Sequence, residues 1–289
     1  MLRIILLLAA IFVFSAAHAQ SKPKKRFCLP PELPEVSGLY YAGPDSLWWH
    51  NDSGHEPVLY LTDSRGRLKQ SLRVPNTLNR DWEDLAVDDQ GRLYIGDFGN
   101  NRNARRDLCI YIYDLPSGRL DSIRFRYPDQ LAFPPPPEQA NFDLEGFFWY
   151  QDSLHLFSKN RVHAGNYFTK HYVLPARPGA HVAELRDSLY LKRRVVTAAA
   201  LSPDAQTAAL LTYWYKRFLG FIPITRTSIF LFEDFPGSDF LQGRRRHRRV
   251  PHCLLPKQYE SLDFLDADQV YIASERILFL RQKARRLRL

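Results

Sequence analysis

The chain has 289 residues and a formal net charge of +9, with 45% hydrophobic and 13% aromatic residues. That much apolar side chain builds a core for one large or two small domains and argues against a disordered chain. The positive excess is local, at residues 22–26, 244–249 and 283–288. These runs read as solvated linkers or tails, or as contacts to an anionic cell-envelope surface. No nucleic-acid recognition motif accompanies them, so no nucleic-acid partner is expected.

In chain order, Arg3 precedes an apolar run over residues 4–14, which leads to Ala17-His18-Ala19. A charged start, a short apolar stretch and a small-x-small site read as a signal peptide over residues 1–19. The run is too short for a spanning helix, and no other stretch reaches transmembrane length. The expectation is an exported protein, periplasmic or extracellular. An oxidising compartment permits one disulfide among Cys28, Cys109 and Cys253, with the pairing left open.

Residues 20–34 form an N-terminal segment, and a repeated unit begins at Glu35. The second copy shows its grammar best: Asp81-Trp82-Glu83-Asp84 opens a short apolar strand, Asp88-Asp89-Gln90-Gly91 turns, and Leu93-Tyr94-Ile95-Gly96-Asp97 runs back. A polar loop, Phe98-Gly99-Asn100-Asn101-Arg102, follows. Further copies begin at Asp143, Val196 and Glu260. Short β-rich runs joined by Asp, Gly and Pro turns read as antiparallel meanders. Units of roughly 45–60 residues with four strands read as propeller blades.

The prediction is an all-β fold: a single β-propeller over residues 35–282, with five four-stranded blades, or six as the alternative. A basic tail is expected at 283–289. The last copy shows three strands, ending at 277–280, so Arg26-Phe27-Cys28-Leu29 is placed to supply its fourth and close the ring. The loop at 216–225 is expected to pack on its own blade, with a lid or contact patch as the alternative.

In such a meander the start of the first strand and the end of the second meet at one mouth of the central channel. Glu35, Glu83, Glu145 and Glu260 stand before first strands; the fourth copy has Thr197 and Ala198 instead. After second strands come His50, Asn51, Asp52, Asp97, Asn100, Asn101, Arg102, Lys159, Asn160, Arg161, Glu275 and Arg276. Oxygen donors suit calcium, with Glu83, Asp97, Glu145 and Glu260 as candidate metal ligands. His50, Asn51, Asp52, Arg102, Lys159, Arg161 and Arg276 are candidate contacts to a small-molecule or anionic ligand. His50, Asp52 and Glu83 are the catalytic candidates. The alternative is that these groups pair with one another and tie the blades together. Ser53 lacks a nucleophile elbow, and Ser-Gly pairs usually turn the chain.

The chain resembles a bacterial family of exported β-propellers related to the phytase-like group, also described as esterase-like activity of phytase. The resemblance rests on Trp49-His50-Asn51-Asp52-Ser53-Gly54, Asp81-Trp82-Glu83-Asp84-Leu85-Ala86, Gly96-Asp97-Phe98-Gly99-Asn100-Asn101-Arg102 and Asp143-Leu144-Glu145-Gly146. Val196-Thr197-Ala198-Ala199-Ala200-Leu201 and Ala273-Ser274-Glu275 extend it over nearly the whole chain. The family-like form carries Asp where Asn100 stands. The resemblance implies ester or phosphoester hydrolysis at the mouth. The function expected is ligand or ion binding at the mouth, with a calcium-assisted esterase or phosphoesterase as the alternative.

Overall fold

The computed structural model describes residues 25–160, 165–218, 222–251, 258–277 and 280–289. The expected signal peptide, Arg161 and Cys253 lie outside the described residues. A three-residue strand, β1 (Arg26–Cys28), comes first. Blade one is β2 (Val36–Gly43), β3 (Ser46–Asn51), β4 (Val58–Thr62) and β5 (Leu68–Arg73). Blade two is β6 (Trp82–Val87), β7 (Leu93–Asp97), β8 (Cys109–Tyr113) and β9 (Leu120–Arg126). Blade three is β10 (Leu144–Tyr150), β11 (Ser153–Ser158) and β12 (Phe168–Pro175), then, after the detour of β13 (Gly179–Val182), β14 (Glu184–Tyr190). Blade four is β15 (Arg194–Leu201), β16 (Thr207–Phe218), β17 (Ile222–Glu233) and β18 (Arg244–Arg249). Blade five is β19 (Tyr259–Asp266), β20 (Gln269–Ser274) and β21 (Lys283–Arg288).

The first strands of the five blades pack side by side in a ring around the channel. The expected five-bladed β-propeller is therefore the observed fold. β1 pairs antiparallel with β21 and completes blade five, so the two ends of the described chain close the ring in one sheet. β13 leaves blade three and pairs parallel with β9, adding a fifth strand to blade two.

Apolar residues from the two facing sheets of neighbouring blades form the core. Phe98, Ile110 and Tyr94 of blade two meet Phe147, Leu156 and Tyr172 of blade three. Val196, Leu210 and Phe232 of blade four meet Phe148 and Phe157 of blade three. Gly146 is required where β10 presses on β15: a Cβ there would run into the Ala198 and Ala199 backbone.

Four runs differ from expectation. Residues 283–288 are not a tail; they are the third strand of blade five, with Ala284 packed toward blade one and Leu287 toward blade four. In the run 277–280, expected as that strand, the described residues Ile277 and Leu280 form an isolated bridge. Residues 244–249 are not a linker but β18, the outer edge of blade four, exposed along its whole length. An outer strand touches few apolar neighbours, so it lacks the alternation that marks inner strands. Arg and Lys on an edge also oppose pairing with another chain. Of the expected loop at 216–225, residues 216–218 and 222–225 instead extend β16 and β17 as paired strands, and residues 219–221 lie outside the described residues. No helix among the described residues is long and apolar enough to cross a membrane.

Candidate functional site at the channel mouth

Local backbone irregularity aims the acidic residues. The pairing of first and second strands slips at the same place in every blade. It slips between Trp82 and Asp84, Leu144 and Gly146, Val196 and Ala198, Tyr259 and Ser261, and Val36 and Leu39. The residues in those slips include Glu83, Glu145, Thr197, Glu260 and Ser37. A β-bulge turns one side chain out of the regular alternation, and here it does so once per blade. Ser37 and Thr197 use it for structure: Ser37 Oγ donates to the Glu83 carbonyl at 2.6 Å, and Thr197 Oγ1 to the Tyr259 carbonyl at 2.9 Å. The three glutamates remain as a buried acidic floor, 3%, 3% and 6% exposed.

Half-buried carboxylates sit above this floor. Oxygens of Asp52, Asp81 and Glu83 lie within 4.8 Å of one another, and so do those of Asp52, Glu260 and Glu275. Asp52 is shared, so one carboxylate links both groups. Gly99 lies against Glu83 and Asp81, and a Cβ at that position would collide with both carboxylates. Among the described residues one cation enters the cluster: Lys159 Nζ donates to Glu145 Oε1 at 2.6 Å.

The electrostatics follow from crowding and burial. Burial, then the charges of Glu145, Asp52 and Asp81, raise Glu83 well above the usual carboxylate range. Burial likewise raises Glu145, against the pull of Lys159. Burial lifts Asp52 to about 7, and burial with the Glu260 charge lifts Glu275 to about 10. Burial lowers the Lys159 ammonium, but the surrounding carboxylates outweigh it and hold the group well above its ordinary value. Tyr213 beside them is pushed by burial up to about 12. Carboxylates gathered around one ammonium must take up protons or bind a cation.

A pH dependence follows. A carboxyl raised in the fold stabilises fully below its ordinary value, and the contribution is lost as pH rises through the folded value. For Asp52 the loss runs from about 4 to about 7, and for Glu275 from about 4.5 to about 10. Buried His50 and His155 act with the opposite sign: held down at about 4 and about 3, they stabilise above 6.5 and lose that contribution as pH falls. Between pH 7 and 9 the raised carboxyls carry most of the change; the Cys109 thiol and Tyr213, each pushed by burial up to about 12, add the same sign mainly above pH 9. In EDTA the melting temperature should therefore fall by several degrees between pH 7 and 9, read by circular dichroism. A flat profile there would show that Glu275 is ionised throughout.

The sequence-predicted residues divide by position. Asp52, Glu83, Glu145, Lys159 and Glu260 converge at the mouth. Asp97, a candidate metal ligand, lies outside both carboxylate groups: it accepts from Arg105 at 3.0 Å and from the Asp81 N–H at 3.1 Å. His50 is wholly buried, with its ring edge-on to Trp82 at 5.5 Å between centroids, so it is placed to pack rather than to meet a ligand. Asn51 accepts from the Glu35 N–H at 3.2 Å and donates to the Glu32 carbonyl at 2.8 Å, fixing the chain that enters blade one. Arg102 and Arg276 are exposed. Asn100 accepts from the Ala104 and Arg105 N–H groups and receives no mouth role. Cys28 and Cys109 are free thiols.

Residues passed over in the sequence include Asp81, Tyr213 and Arg105. Arg105 folds back to the Gly99 carbonyl at 2.8 Å while it pairs Asp97. Its sequence signal was the nearby Asp107, which flanks the same guanidinium at 3.2 Å.

The opposite end of the channel differs in kind. A pocket of about 500 Å³ there is lined largely by apolar and aromatic residues, among them Tyr40, Phe148, Trp149 and Phe264. A surface cavity of about 920 Å³ lies on the outer part of blade two, where Arg80 is already paired with Asp107.

No family model and no curated protein matches this chain. Solved structures do. An α-L-arabinanase from Penicillium chrysogenum superimposes with a TM-score of 0.51 at 11% identity, over 91% of this chain and 96% of that one. A mannose phosphorylase from Leishmania mexicana gives 0.52 at 12% identity, over 93% and 90%. A gluconolactonase from Xanthomonas campestris gives 0.47 at 13% identity, over 90% and 88%. At such identities the likeness establishes the β-propeller fold and nothing about chemistry.

Proposed function

We propose that the channel mouth binds a hard divalent cation of the calcium class and, through it, an anionic small molecule. One observation carries this reading: Asp52 joins two carboxylate groups whose oxygens lie within 4.8 Å of one another. Clustered carboxylate oxygens are the donor set that calcium takes. Asp52, Asp81, Glu83, Glu260 and Glu275 would hold the ion, and the Gly99 cradle keeps Glu83 and Asp81 close. A bound cation would supply charge neutralisation and polarise a coordinated ligand oxygen.

A second reading, hydrolysis of an ester or phosphoester, rests on Lys159 and Tyr213 beside the carboxylates. Lys159 stays protonated, fixes Glu145 and offers positive charge to a developing oxyanion. Tyr213, neutral below about 12, can donate a hydrogen bond to a leaving oxygen. The resemblance to phytase-like propellers agrees with this reading.

Calorimetric titration tests the binding step. Calcium should bind saturably at pH 8, and Asp52→Asn, which removes the shared carboxylate, should weaken it by tenfold or more. Unchanged affinity in Asp52→Asn would contradict the site. A screen of aryl esters and phosphomonoesters, with and without EDTA, then separates binding from hydrolysis.

A further inference from the structure

Blade four, like blade one, brings no carboxylate to the mouth from its first strand, and its rim on that side is basic. Arg194 on β15, Trp214 on β16 and Arg226 on β17 lie in one register row across the sheet. Two residues further along, Ser228 on β17 pairs with Arg249 on β18. Directly paired residues point to the same face, so this row presents three guanidinium groups and an indole together. They line a cavity of about 430 Å³ with Thr227, Ser228, Val250 and Pro251.

These guanidiniums lack carboxylate partners among the described residues. Arg194 donates to Ser228 Oγ at 3.0 Å, and its guanidinium lies 5.5 Å from the Phe230 ring. Arg226 lies 5.6 Å from the Trp214 ring. The contrast is on the same blade: Arg244 and Arg246 both pair with Glu233. Blade four itself supplies no carboxylate near them, since no Asp or Glu occurs between Asp204 and Glu233 or between Asp239 and Glu260. Burial and the Arg249 charge lower Arg194, and burial with the charges of Arg194, Arg249 and Arg245 lowers His247. Edge protection explains exposed arginines on β18. It does not explain Arg194, half-buried on the innermost strand.

We propose that this cavity is an oxyanion site that receives a phosphate or sulfate group, with Arg194, Arg226 and Arg249 as its ligands. Guanidinium donors match tetrahedral oxyanions in geometry and charge. Ser228 Oγ, held by Arg194, stands at the same wall. Asn160, the residue after Lys159 of the mouth, donates to the Arg194 carbonyl at 2.5 Å, so the cavity adjoins the mouth. The assignment is independent of the cation reading, because none of its residues belongs to the carboxylate cluster.

The test uses the whole chain and inorganic phosphate and sulfate as probes, by calorimetry at fixed ionic strength, with chloride as control. Saturable binding of phosphate or sulfate is expected, weakened at least tenfold in Arg194→Gln and in the Arg226→Gln/Arg249→Gln double variant. Calcium-dependent melting should be unchanged in the double variant, so failure here is distinguishable from failure of the cation site. The exposed double variant keeps the test decisive if Arg194→Gln does not fold. A parallel sedimentation arm uses phosphatidylglycerol vesicles. Vesicle binding lost in the double variant, without binding of free ions, assigns the same oxyanion chemistry to a lipid headgroup. Binding equal in wild type and variants, or absent in both arms, overturns the site.

Discussion

A chain beginning at Pro34 should fail to give a cooperative monomeric melt. The segment it lacks contributes β1 and the side chains of Phe27, Leu29 and Leu33, which are 5%, 0% and 0% exposed. Burying three such side chains is worth ~5–9 kcal/mol at about 1.5–3 each. That approaches the whole stability of an ordinary domain, ~5–15 kcal/mol. The loss is also structural: Leu29 N–H donates to the Gln282 carbonyl at 3.2 Å, and Gln282 Nε2 to the Pro30 carbonyl at 2.5 Å. Without these, β21 becomes an open edge next to exposed apolar surface, and aggregation is expected. Size-exclusion chromatography and thermal melting read the outcome. A soluble monomer melting within a few degrees of the full chain would show that the ring does not depend on this closure.

Asp84→Ala should be the most damaging point substitution in the channel. The carboxylate is wholly buried and accepts N–H groups from three blades: Leu85 at 2.9 Å, Phe147 at 3.2 Å and Ala199 at 3.5 Å. Alanine leaves those donors without a partner, at ~1–3 kcal/mol each. A loss of ~3 kcal/mol or more lowers the melting temperature by ~5–10 °C in a chain of this size. Glu83→Gln, one residue earlier, should do the reverse in EDTA. It removes a carboxylate that burial and its acidic neighbours destabilise when charged, so the melting temperature should hold or rise. Equal losses in both variants would show that Asp84 and Glu83 do the same structural work.

The contrast between these neighbours shows where sequence reading works. The unit beginning at Asp81 repeats because every blade needs the same bulged first strand, so Glu83, Glu145 and Glu260 could be placed at one mouth from spacing alone. What spacing does not carry is the direction of each side chain after the second strand. His50, Asn51 and Asp52 are consecutive, yet His50 packs on Trp82, Asn51 clamps Glu35, and Asp52 joins the carboxylates. Asp97 could not be told from a ligand because its partner, Arg105, lies on a loop whose curl depends on Asn100. The outer strands were hidden for another reason. Residues 244–249 and 283–288 read as charged tails, since a strand at the rim is held by backbone pairing and needs little apolar pattern. The Arg194 row leaves no sequence pattern because its members are far apart in the chain and meet only through strand register.

The most direct measurement of the cation reading is a melt of the protein at pH 8 in EDTA, followed by calcium added back, in wild type and Glu83→Gln. A native state that binds the ion gains about 2.7 kcal/mol at a hundredfold excess over Kd. That corresponds to a rise of ~5–10 °C. Wild type should show this rise and saturate, and Glu83→Gln should show little of it despite melting at least as high in EDTA. No calcium-dependent shift in wild type at millimolar concentrations would contradict a cation site at the mouth and leave the carboxylates as ties between blades.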